Sequence, residues 1–251
     1  MILQSALPYD PHEAPPLPGI RPLGSDPWLI VDDAYAAQMA ERERLLRDRR
    51  DDVLRLDADA FGAARDLLDT VLTSLPGGFR RDGDVVRRPD GIAVRLDRAD
   101  PMATLGRLVQ EDLCLLEKRG DEHVLTGAVL CFPASWMLSE KFLRPLVAIH
   151  RPVAEYDAAL SVRVQRLLDG VQPGRGLWRC NAHRYADAAL FQPRSEAAPR
   201  PAPDKDGAPF LRSERQCILR LAESRAVVFS IHTYVVRAPE RISAGSGSAP
   251  G

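Results

Sequence analysis

One stretch of twenty residues, LCLLEKRGDEHVLTGAVLCF (113–132), constrains the fold more than any other. Two apolar runs flank a charged centre that contains a glycine, which predicts two antiparallel strands joined by a tight turn. A second hairpin is predicted in GDVVRRPDGIAVRLD, where Pro89-Asp90-Gly91 supplies the turn chemistry. GLWRCNAH and RAVVFSIHTYVV read as further strands.

Helical spacing dominates the segments before and between these strands. Asp32 or Asp33 is placed to cap a helix through AYAAQMAERERLLRDRR. Phe61, Ala64, Leu67, Leu68, Val71, Leu72 and Leu75 line one face of a second helix that Gly77 closes. Shorter helices are expected in DPMATLGRLVQED, with Asp100 as cap, in WMLSEKFLRPL, ended by its proline, and in SERQCILRLAES. A longer one is expected in EYDAALSVRVQRLLDGV. Two helices followed by interrupted strands predict an α+β fold, an antiparallel sheet with helices on one side. Residues 1–25 are rich in proline and read as an extended arm. Residues 26–237 read as a single domain, 26–78 a helical extension and 79–237 the sheet core, with a Pro/Ala-rich loop at 194–209. Residues 238–251 read as a disordered tail.

Charge and motifs narrow the function. A net charge of −1 gives no global field to attract nucleic acid or an anionic membrane. No apolar run approaches the roughly 20 residues of a membrane span. The four cysteines have no CxxC spacing, so neither zinc nor a cysteine-held iron–sulfur cluster is expected. MILQSALPYDPHEAPPLPG has no signal-peptide pattern, and the expectation is a cytoplasmic protein with reduced thiols. No Walker A, GxGxxG, HExxH, GxSxG or kinase signature occurs. Any redox chemistry here takes its electrons from elsewhere.

Five histidines remain. His12 lies in the arm, and His123 reads as a surface residue in the polar strand start GDEHV. His150, His183 and His232 adjoin apolar sequence, and each is either a hydrogen-bonded core residue or a ligand. His150 best fits an axial ligand of haem iron, because it follows a helix and the apolar PLVAI. Lys141 and Arg144 precede it and are either solvated or placed to meet haem propionates.

Several blocks resemble, in order, the alpha subunit of the haem-dependent oxidative N-demethylases. They are GSDPWLIVDDAY (24–35), LVQEDLCLL (108–116), LTGAVLCFPASWMLSEKFLRPLVAIHRPV (125–153), LWRCNAHRYADAALFQP (177–193) and RSERQCILRLAESRAVVFSIHTYVV (212–236). The resemblance implies a PAS-like antiparallel sheet flanked by helices and holding haem b. It implies removal, with O2 as co-substrate, of a methyl group from a small amine, releasing formaldehyde. Electrons are then expected from a separate flavin and iron–sulfur reductase. It also implies His150 as the proximal iron ligand. Glu214 and Arg215, on the helix expected in SERQ, are either a surface ion pair or part of a distal pocket. There a carboxylate would meet an ammonium substrate. The family usually has Asn-Trp where this chain has CNAH, and arginine where it has His232. Losing that arginine removes a permanent cation and its bidentate fork. A neutral His232 is then either a distal hydrogen-bond donor or a solvent-facing edge residue, and the substrate is expected to be a different amine, such as one derived from an amino acid. A haem-binding sensor or carrier without catalysis is the alternative.

Overall fold

The computed structural model describes residues 1–11, 19–150, 158–198 and 207–238; the side chains of His150 and Ala158 lie outside the described set. His12, half of the Pro/Ala-rich loop and nearly all of the C-terminal tail also fall outside it.

A seven-stranded antiparallel sheet organises the chain. Its strands are β1 (Arg21–Pro22), β2 (Leu54–Leu56), β6 (Asp112–Arg119), β7 (Glu122–Val129), β8 (Leu177–Tyr185), β9 (Phe210–Arg220) and β10 (Val227–Arg237), in the order β1-β8-β9-β10-β6-β7-β2. The hairpin expected at 113–132 forms β6 and β7, with Arg119 opposite Glu122 and Gly120 in the left-handed region at φ +65°. The other expected hairpin supplies β4 (Val85–Arg87) and β5 (Ala93–Arg95), which β3 (Arg80–Asp82) extends to a separate three-stranded sheet.

Helices cover both faces of the large sheet, which corrects the one-sided layout expected. On one face lie α1 (Tyr35–Asp48), α3 (Phe61–Ser74) and α4 (Pro101–Leu108), packed on Leu113, Leu115, Val129, Cys217 and Val228. A short α2 (Arg50–Val53) leads directly into β2. The other face carries α5 (Leu138–Lys141), α6 (Leu146–His150) and α7 (Ala158–Gly170), whose apolar residues meet Cys114, Leu116, Ala128, Ile218, Val227 and Ile231. The split follows from strand alternation: both alternate sets of β6 and β10 are apolar, so each face requires a cover.

Four local expectations change. SERQCILR, the first eight residues of SERQCILRLAES, is strand, not helix: β9 pairs with β8 on one side as far as Ile218 and with β10 on the other as far as Arg220. Pairing on both edges outweighs local helical preference there. WMLSEKFLRPL holds only the four-residue α5, which stops before Leu143 at φ +60°, and a separate α6 starts at its last residue, after Pro145. His123 is buried, at 1% exposure, because α7 lies over it and its Nδ1 is 2.9 Å from Gln165 Oε1. The expected caps also differ. Asp32 accepts from the Ala34 backbone N–H and otherwise turns to side chains, while the Asp100 carboxylate binds Arg50 at 2.6 Å.

An ion pair locks α1 to the sheet. Arg42, fully buried, donates to Asp112 Oδ1 at 2.6 Å and to the carbonyls of Gly106 and Gln110, each at 3.1 Å. Asp112 also accepts the backbone N–H groups of Cys131 and Phe132 at 2.7 and 2.8 Å. Removing one member of a buried pair leaves an uncompensated charge. Arg42→Met is therefore expected to lower unfolding free energy by about 3–5 kcal/mol, measured by chemical denaturation. The double variant Arg42→Met/Asp112→Leu should recover little, since the Cys131 and Phe132 N–H groups would then lose their acceptor.

Candidate functional site

The face under α5, α6 and α7 changes character along its strands. Leu177, Ile218 and Phe229 form one apolar row across β8, β9 and β10. The next row is Arg179, Gln216 and Ile231; then come Asn181, Glu214 and Thr233, and then His183, Arg212 and Val235. An apolar floor thus runs into a polar patch.

Within that patch Glu214 is held by amides. Gln216 Nε2 donates to its Oε2 at 2.9 Å and Asn181 Nδ2 to the same oxygen at 3.3 Å. Asn181 Oδ1 accepts the Glu214 backbone N–H at 3.1 Å, so one side chain fixes both ends of the residue. Arg212 Nη2 lies 3.8 Å from Glu214 Oε1, but its shorter bonds go to the carbonyls of Phe132 at 2.6 Å and Leu190 at 3.0 Å. Three buried atoms in the patch have no hydrogen-bond partner: Arg179 Nε, Arg212 Nε and Thr233 Oγ1. Burial draws the Arg179 pKa below the ordinary arginine value, with Cys180 and Glu214 acting in the opposite sense.

The expected trio of Glu214, Arg215 and His232 is divided by the sheet. Glu214 and Arg215 are consecutive in a strand and so face opposite ways, and His232 is the register partner of Arg215. Arg215 lies over the Trp178 ring at 5.2 Å, and its Nη1 is 3.3 Å from Cys217 Sγ. His232, 1% exposed, sits between two carboxylates, Nδ1 2.9 Å from Glu111 Oε1 and Nε2 3.1 Å from Asp32 Oδ2. Burial opposes its charge, yet the bonds and charges of Asp32 and Glu111 prevail and raise its pKa to about 9. It is therefore an imidazolium at neutral pH, not the neutral ring expected, and its burial contradicts the solvent-facing alternative. Asp32 also accepts from Gln110 and Gln4, each at 2.8 Å, which ties the N-terminal arm into the same cluster. Tyr9 of that arm bonds Ser213 at 2.9 Å and packs on Trp178 and Tyr234.

Lys141 and Arg144 converge on Glu196: the Lys141 ammonium pairs with it and donates to the Ile149 carbonyl at 2.7 Å, while Arg144 Nη1 lies 3.6 Å away from it. His150 closes α6, and its side chain falls outside the described residues. His183 is exposed near the end of β8. Sequence reasoning missed Arg179, Asn181, Gln216 and Thr233. Reading 210–220 at period two aligns Arg212, Glu214 and Gln216; only the strand register adds Arg179.

A mostly antiparallel sheet covered by helices on both faces, with a polar patch at the end of an apolar floor, makes this an α+β protein. A family model described as haem-dependent oxidative N-demethylase, alpha subunit-like, matches residues 19–245. The chain belongs to that family. Among the described residues, no helix is long and apolar enough to cross a membrane.

The His232 cluster has a pH signature. A folded pKa of about 9 against 6.5 means its contribution is complete below pH ~6.5 and is lost as pH rises through about 9. That contribution is roughly 2–3 kcal/mol at pH ~7. Melting temperature should fall between pH ~6.5 and ~9.5 in wild type. In His232→Gln it should start lower and follow a flatter course, checked by circular dichroism melts.

Proposed function

We propose that this chain is the haem-binding, oxygen-using subunit of an oxidative N-demethylase that acts on a small or amino-acid-derived amine. The observation that carries the reading is Glu214, a carboxylate fixed by Asn181 and Gln216 beside the apolar floor on which α6 packs. A carboxylate so placed suits an ammonium substrate leaving water. It gives demethylation precedence over a haem sensor or carrier, whose diatomic ligand needs no counter-charge.

The residues present fit haem. Leu177, Ile218, Phe229 and Ile231 form an apolar wall beneath α6 and α7 of the kind a macrocycle packs on, and Thr233 Oγ1 and Arg179 Nε are buried polar atoms without a partner. Haem b, bound without covalent attachment since no CxxCH occurs, would supply reductive activation of O2 and oxygen insertion at the methyl carbon. His150 would hold the iron from α6. Lys141 and Arg144 would fix α6 through Glu196, meeting a propionate only by releasing that carboxylate. Glu214 would orient the amine, and Arg215 and His232 would hold the opposite face and the arm. Electrons would come from a separate flavin and iron–sulfur reductase. The central strands β7-β6-β10-β9-β8 follow the order second, first, fifth, fourth, third in the chain, which supports the PAS-like reading. Residues 26–237 would form one haem-binding domain. The four buried free cysteines suit a cytoplasmic setting.

Hemin titration tests this reading. Wild-type protein should develop a saturable Soret band that shifts on reduction and on adding carbon monoxide. His150→Ala should lose most of it, while His183→Ala and His232→Ala should keep it below pH ~7; absence of saturable binding by folded wild-type protein overturns the reading. Glu214→Gln should retain haem but lower formaldehyde release, as kcat/KM, by roughly 10- to 100-fold, the loss of one charged hydrogen bond.

A further inference from the structure

Arg179 makes no hydrogen bond or ion pair among the described residues, and its Nε is buried. Arg42, Arg88 and Arg212, three buried guanidinium groups, donate to carboxylate or carbonyl oxygens, and buried Arg215 lies on the Trp178 ring and bonds Cys217 Sγ. A half-buried cation without an acceptor is costly unless something outside the chain completes it. Glu214 is on the same face of the adjacent strand, diagonal to Arg179 in the register, and would be the obvious partner. It is held away instead, its Oε2 taken by Gln216 and Asn181. The sheet therefore presents a positive and a negative group side by side and unpaired with each other, with the unpartnered hydroxyl of Thr233 next to Glu214.

We infer that Arg179 is a carboxylate-binding residue of this polar patch, supplying the planar two-donor fork that a carboxylate matches. This deepens the reading above and rests on it for the location of the ligand. Two sources carry the required chemistry. One is an N-methylated amino acid, whose ammonium would lie at Glu214 and whose carboxylate would lie on Arg179. The other is a propionate of haem. Both place an anion against a guanidinium partly shielded from water, where charge-assisted bidentate bonds are strong.

Paired probes distinguish the sources. Calorimetric titration with N-methylglycine and with dimethylamine compares amines that differ by a carboxylate. Titration with hemin and with hemin dimethyl ester compares macrocycles that differ by their free propionates. Each pair is measured on wild type, Arg179→Gln and Arg179→Lys, with circular dichroism and melting temperature confirming the fold. For a substrate carboxylate, Arg179→Gln should weaken N-methylglycine by roughly 10- to 100-fold and leave dimethylamine unchanged. For a propionate, the same loss should appear for hemin and not for its dimethyl ester. Arg179→Lys should restore part of either affinity. Unchanged ratios for both pairs in a folded Arg179→Gln protein overturn the inference, as does wild-type protein that binds none of the four probes. Tight hemin binding with unchanged ratios overturns only this inference. N-methylglycine binding that depends on Arg179, in protein that takes up no hemin, overturns the haem reading instead.

Discussion

The buried Arg42–Asp112 pair is the constraint on which the rest of the architecture depends. Burial pushes the Asp112 carboxyl pKa upward, while Arg42 and two backbone N–H groups work against that by stabilising the anion. Those N–H groups belong to Cys131 and Phe132, where the chain leaves β7 for the helices of the second face. The Phe132 carbonyl in turn accepts from Arg212, which flanks Glu214. A continuous chain of polar contacts thus joins α1 on one side of the sheet to the candidate site on the other. Its contribution is to position: it fixes α1, the turn after β7 and Arg212 relative to one another, and loss of either charge leaves the other uncompensated.

The two faces spend their buried charge differently. Around His232 the balance is nearly closed: two carboxylates flank one imidazolium, Gln4, Gln38 and Gln110 occupy much of the remaining hydrogen-bonding capacity, and Glu111 Oε2 is left without a partner. The cluster also binds the arm where β10 runs past the end of β6, with Gln4 exchanging backbone and side-chain bonds with Val235. Around Glu214 the balance is open, with Arg179 and Thr233 unsatisfied. A closed network rigidifies; an open one is suited to a ligand.

Much of the fold was legible in the sequence because its signals are local. Gly120 and Gly91 mark hairpins, and the apolar spacing from Phe61 to Val71 marks α3, although that helix ends at Ser74, short of Gly77. β2 escaped notice because three residues, Leu54–Leu56, carry no period. β9 was misread as helix because its charges face both ways, and a strand with polar residues on both faces has no alternation to detect. Glu214 was recognised as a candidate, but its surroundings were not. Arg179 lies 35 positions earlier and joins it only through the β8–β9 register. His123 and His232 were misjudged for a related reason, since burial is decided by helix α7 in one case and by Asp32 and Glu111 in the other. These contacts are distant in sequence and leave no local trace.

The central claim is that the cofactor lies on the face bearing Glu214 and Thr233, away from the face bearing His232. Anomalous scattering from iron in crystals of the hemin-reconstituted chain tests this directly. The expected result is a single strong iron peak on the Glu214 face, within bonding distance of His150. An iron peak on the His232 face, or one coordinated by His123 or His183, would contradict the account.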